Sequence, residues 1–181
     1  MSELSDEALM ARVQQGETGL LDLLVRRYEK PLYSFALRQV GNAAAAEDAF
    51  QETFLRVLRK RDTYKTEALF RPWLYRICLN ICRDWHRSRA RRPERELPEH
   101  LPLVDPAPGP EAVSTQAMLA QRIRQAIEAL PEKHRDVFVL QYYQNLPYAE
   151  IGEILDLPVG TVKSRVFHAS QKLAQTLRDL R

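Results

Sequence analysis

Cysteine is almost missing from the chain. Only Cys78 and Cys82 occur among 181 residues, which excludes a disulfide-stapled scaffold. Four residues apart in one helical pattern, they read as reduced thiols of a cytosolic protein. Glycine is scarce as well, 6 residues in all where about 7 % is usual. That argues against Gly-rich phosphate loops and against an all-β fold. No apolar run approaches the roughly 18 residues needed to cross a bilayer, so no transmembrane helix is expected. The first residues, MSELSDEALMARVQQGE, are acidic and amphipathic without an apolar stretch, and no signal peptide is expected. Strong charge of one sign is also lacking: 27 Lys and Arg oppose 24 Asp and Glu, a net +3.

Apolar residues make up 45 % of the chain, enough for a core and too much for a disordered polymer. The distribution of proline and charge is uneven. Six of the 11 prolines lie between Pro93 and Pro110, where no helical period survives. Residues 93–115 therefore read as a semi-rigid, extended linker. Residues 1–92 carry 17 basic and 12 acidic groups, net +5; the linker carries net −4; residues 116–181 carry net +2. A nearly neutral total thus conceals two basic domains, 1–92 and 116–181, joined by an acidic strap.

The expected fold class is all-α, two small helical domains with no strand pattern. In the first domain a helix follows Ser5, a suitable N-cap, and stops at Gly16. A second runs from about Thr18 to Val40 with a kink expected at Pro31. A third begins after Asn42, with Phe50, Phe54 and Leu58 on one face. A fourth spans about Phe70 to Arg91, with Leu74, Ile77, Ile81 and Trp85 marking its buried stripe. In the second domain Met118, Leu119, Ile123, Ile127 and Leu130 pattern one helix. Pro131 opens another, with Val137, Phe138 and Leu140 inward. Pro147 opens a short helix from Tyr148 to Leu155. After the turn through Gly160, a last helix runs from about Thr161 to Leu180.

Three segments carry chemistry. Residues 146–173, LPYAEIGEILDLPVGTVKSRVFHASQKL, read as a helix-turn-helix in which Ile151, Ile154, Leu157, Val162 and Val166 hold the two helices together. Thr161, Lys163, Ser164, Arg165, Phe167 and His168 fall near the start of its second helix. There, hydroxyls and cations meet phosphates and base edges. The fourth helix ends in five arginines from Arg83 to Arg92 against one Asp, a plausible phosphate-binding stripe, although a solvated helix end favoured by the dipole has the same composition. Upstream, Tyr64, Phe70, Trp73, Tyr75 and Trp85 supply aromatic faces of the kind that hold single-stranded DNA beside cations. Tyr64, placed in a loop, is the expected stacking platform, and Trp85 the expected core residue. Cys78, Cys82 and His86 at i, i+4, i+8 span about 12 Å of helix. That is too far for bonds of about 2.0–2.3 Å to one zinc ion, so they read as packing residues.

Taken in order, AEDAFQETFLRVLR (46–59), YKTEALFRPWLYRICLNICRDWHRSRARR (64–92) and LPEKHRDVFVLQYYQNLPYAEIGEILDLPVGTVKSRVFHA (130–169) resemble the extracytoplasmic-function (ECF) sigma factors of the sigma-70 class. The resemblance implies a cytoplasmic, non-enzymatic subunit without cofactors whose partners are core RNA polymerase, promoter DNA and an anti-sigma factor. It implies polymerase docking by Asp48, Gln51, Glu52 and Leu55. It implies −10 strand binding by Tyr64, Lys65, Trp73, Arg76, Asn80, Arg83 and Arg87. It implies −35 recognition by Tyr148, Thr161, Lys163, Ser164, Arg165, Phe167 and His168. Gln141 and His168 stand where many members carry arginine, and Ala149 where glutamate is frequent, so a different −35 preference is expected. A plain helix-turn-helix regulator would use 146–173 but leave 46–92 without a role. A thiol- or metal-dependent hydrolase is disfavoured by the helical spacing of Cys78, Cys82 and His86.

Overall fold

A computed structural model describes residues 4–91 and 110–179 of the chain. Among the described residues there are eight α-helices and no strand, grouped in two compact units.

The first unit holds α1 (Asp6–Gln14), α2 (Leu21–Val40), α3 (Ala43–Arg59) and α4 (Phe70–Ala90). Their ends follow local chemistry. The Ser5 hydroxyl accepts from the Ala8 amide, capping α1. Gly41 adopts the left-handed conformation that closes α2 (φ 68°), and Asn42 immediately caps α3 through the Ala45 amide at 2.8 Å. A 3-10 turn at Thr18–Leu20 precedes α2, so the helix proper begins later than its sequence pattern suggests. Helix α2 packs on α3 and α4, and α1 on α2 and α4. The core is filled by Leu9, Met10, Leu24, Phe35, Leu74 and Tyr75, with Phe35 and Tyr75 edge to face at 5.1 Å.

Trp85 is only half-buried, a departure from the core position its spacing suggests. The His86 ring meets the Gln39 carbonyl at 2.7 Å, so α2 ends at this level and leaves the indole partly uncovered. The Arg89 guanidinium stands 4.8 Å from its ring centre instead. Inward space on α4 is taken by Cys78 and Cys82, both buried and neither in a disulfide.

The second unit holds α5 (Pro110–Glu128), α6 (Glu132–Phe138), α7 (Tyr148–Leu155) as far as Gly152, and α8 (Val159–Asp179). Helix α6 continues into a π-helical turn over Val139–Tyr143. Helix α8 packs on α5 and α6, with Val137, Leu140, Val162, Val166, Ala169 and Leu173 buried. Helix α5 starts at Pro110, inside the stretch that composition assigns to the linker; a first-turn proline loses no helical hydrogen bond. The remaining linker residues, 93–109, lie outside the described residues. Of the apolar set that patterns this helix, Ile127 and, in the turn just past its end, Leu130 are buried, but Met118 and Leu119 are each 54 % exposed. The same period that buries one end of a helix leaves the other apolar when no element covers it.

Candidate nucleic-acid interface

Asp48, Gln51, Glu52 and Leu55 lie at i, i+3, i+4 and i+7 on α3 and share one face. Asp48, Gln51 and Leu55 are exposed, an acidic–apolar patch fit for a protein partner. Glu52 is partly committed elsewhere. It accepts from Arg56 at 2.9 Å and Arg59 at 3.4 Å, and the Arg56 hydrogen bond holds its carboxyl below the usual range. Arg56 also approaches Asp84 on α4 at 3.9 Å, so this carboxylate belongs to a local charge network as well as to the patch.

Tyr64 is not the free stacking platform that its loop position suggests. Its side chain is 4 % exposed, and its hydroxyl donates to the Ala68 carbonyl at 2.5 Å. Its ring lies 5.0 Å from Trp73 and 5.9 Å from Phe70. Burial pushes the phenol up to about 12. The ring is buried because a loop clamped between two helices can close over its own aromatic residue, which a sequence period cannot reveal. What the loop presents outward is Lys65, Thr66, Glu67, Ala68 and Leu69.

Helix α4 continues from this loop. Trp73, Arg76, Asn80, Arg83 and Arg87 follow 3- and 4-residue steps along one stripe, about 21 Å long at 1.5 Å per residue. Arg76, Asn80 and Arg87 are exposed; Trp73 and Arg83 are half-buried. Arg87 pairs with Asp84. The stripe offers cations, an amide and an indole edge, which suits a strand running along the helix.

In the second unit α7 and α8 form the helix-turn-helix. Asp156 takes the left-handed conformation (φ 55°), and the Leu157 amide donates to the Gly152 carbonyl at 2.9 Å. Gly160 has no such role, being already within α8. Gly152 carries a constraint that sequence reasoning missed: a Cβ there would stand 2.6 Å from the Leu157 carbonyl oxygen. Its signal was a glycine four residues before the turn residue. Gly152→Ala is expected to destabilise the protein by about 1–3 kcal/mol through overpacking, read as a lower unfolding midpoint in calorimetry.

On α8, Lys163, Ser164, Phe167 and His168 are exposed, Phe167 at 59 %. Thr161 and Arg165 on α8 and Tyr148 on α7 are half-buried. The exposed set shares a face opposite Val162, Val166 and Ala169, as a recognition helix requires. His134, a residue the sequence did not single out, is buried on α6 with its ring centre 6.4 Å from that of His168. Burial, followed by the nearby charges of Lys172, Lys133, His168 and Arg165, lowers its pKa. The folded unit therefore binds this proton less readily than the unfolded chain. Stability is full above the ordinary histidine range near 6.5 and falls as pH drops below it. Thermal unfolding at pH 7.5 and 5.5 checks this; His134→Leu is expected to reduce the difference.

The family model "Sigma-70 region 2" matches residues 24–92, and "Sigma-70, region 4" matches residues 120–173. The chain is similar to the ECF RNA polymerase sigma factor SigW of Bacillus subtilis, 34 % identical with 98 % of this chain and 100 % of that one covered. It is also similar to the ECF RNA polymerase sigma-E factor of Escherichia coli K12, 34 % identical over 99 % and 98 %. A solved structure of CnrH in complex with the cytosolic domain of CnrY matches with TM-score 0.75 and 25 % identity, covering 96 % of this chain and 97 % of that one. The fold is shared further with the sigma factor RpoE of Bartonella quintana, TM-score 0.70 at 22 % identity, covering 89 % and 98 %. The two units are thus those of a sigma-70 class protein. The chain belongs to the ECF sigma factors.

Proposed function

We propose that the chain binds core RNA polymerase through the Asp48–Leu55 face of α3 and directs it to promoters. The α4 stripe holds the melted −10 strand and the α7–α8 pair reads the −35 element. The observation that carries this is the presence of two outward polar faces, one on α4 and one on α8, in the units that match sigma-70 regions 2 and 4. In this reading residues 1–92 and 116–181, the latter extended upstream to Pro110, act as the two promoter-binding domains and the segment between them as their tether. The chain performs no catalysis and needs no cofactor; phosphodiester chemistry belongs to the polymerase. No described helix is long and apolar enough to cross a membrane, in keeping with action in the cytoplasm, where polymerase and DNA are. A structural neighbour was solved bound to the cytosolic domain of another protein, which supports an anti-sigma factor as a regulatory partner.

The test is run-off transcription by core polymerase plus the full chain on promoters randomised at the −35 and −10 positions, followed by sequencing of the templates used. Enrichment at both elements is expected. Absence of chain-dependent initiation from every template would overturn the reading.

A further inference from the structure

Helix α1 lies outside the residues that the region 2 family model matches, which begin at 24, yet it is firmly part of the unit. Leu9, Met10 and Val13 are fully buried. Asp6 binds α2 twice, through Arg27 at 2.7 Å and the Tyr28 hydroxyl at 2.5 Å. From this fixed position α1 reaches both ends of the loop between α3 and α4. At its C-terminal end the Gln14 amide nitrogen donates to two carbonyls, Arg61 and Tyr64, each at 2.7 Å. At its N-terminal end Glu7 accepts from the Phe70 amide at 3.0 Å. Leu69, the residue before α4, offers no side-chain cap, so Glu7 supplies the missing cap from 63 residues away in sequence. Between these anchors only Tyr64 turns inward; Lys65 to Leu69 face outward.

We propose that Gln14 and Glu7 are positioning residues that fix the shape of the 61–70 loop and so set how sharply it discriminates bases of the −10 strand. The proposal rests on the function proposed above. Its physical basis is preorganisation. A loop held at both ends does not have to be ordered when a base arrives, and its outward groups meet one base shape better than another. A loop without the anchors would bind more bases and favour none.

The test uses the full chain with core polymerase on the same randomised promoters. Gln14→Glu turns a donor into a carboxylate facing two carbonyls; Gln14→Lys keeps a donor. With Gln14→Glu, enrichment of the preferred −10 bases is expected to fall about fivefold or more, the worth of one to two hydrogen bonds. The −35 enrichment and affinity for core polymerase stay unchanged, and amide exchange rises at residues 61–69 only. Gln14→Lys is expected to keep most of the wild-type −10 preference. Glu7→Gln, which retains an acceptor, should do better than Glu7→Leu. Equal sharpness with Gln14→Glu, equal damage from Gln14→Lys, or exchange rising throughout α1–α4 would overturn the proposal. Wild-type protein that initiates without any −10 preference would instead overturn the −10 reading itself, and the clamp with it.

Discussion

Asp48→Lys combined with Leu55→Asp is expected to weaken holoenzyme formation about 100-fold while leaving the thermal midpoint within a few degrees of wild type. Both side chains are exposed on one face of α3, so neither substitution opens the core. The first reverses a charge, and like-charge juxtaposition at an interface costs several kcal/mol. The second replaces an exposed leucine by a carboxylate, which removes apolar contact area and leaves a charge to be desolvated on docking. Glu52 is left intact deliberately. Its pairing with Arg56 and Arg59 means that reversing it would disturb the α3–α4 charge network as well as the patch. Affinity is read by competition for core polymerase, stability by calorimetry. A double variant that binds core normally would remove α3 from the docking surface.

The second large effect is expected on α8. Lys163→Ala with Arg165→Ala should lower holoenzyme affinity for −35 DNA about tenfold to a hundredfold and reduce the slope of log K against log salt by up to ~2. The two cations do not stand alike. Lys163 is exposed, whereas Arg165 is half-buried. Lys163→Ala alone should therefore account for a slope change of about 1, with Arg165→Ala contributing less. Phe167→Ala removes an exposed ring that carries no charge, so it should change affinity without changing the slope. A slope unchanged in the double variant would place both cations away from phosphates.

These outcomes separate what the sequence makes legible from what it hides. Asn42, Gly41 and Pro147 mark helix ends because capping and turn chemistry act within four residues. The helix-turn-helix is legible for the same reason: its period, turn and outward polar residues lie within 28 residues. Tyr64 is misjudged because its burial depends on Phe70, Trp73 and the Ala68 carbonyl closing around it. Trp85 fits the stripe but lies where α2 ends, and the length of a neighbouring helix is not written in the period of α4. Gly152 and His134 are invisible for a related reason. Each matters through an atom of another element, the Leu157 carbonyl in one case and the cations of α8 in the other. Gln14 and Glu7 extend the pattern to its limit, acting on partners 47 to 63 residues away.

Cys78 and Cys82 have a consequence for the chain's exposure to oxidants. Thiolates react only when they reach solvent, and both sulfurs are sealed beneath α4. Alkylation or sulfenic acid formation must therefore wait for the helix to lift away from its neighbours. The two thiols act as a built-in clock on that opening: the rate at which a small alkylating reagent labels them measures how often the first unit breathes. A partner that grips this unit should slow the clock, so the same measurement reports engagement of α4 without any probe attached to the protein.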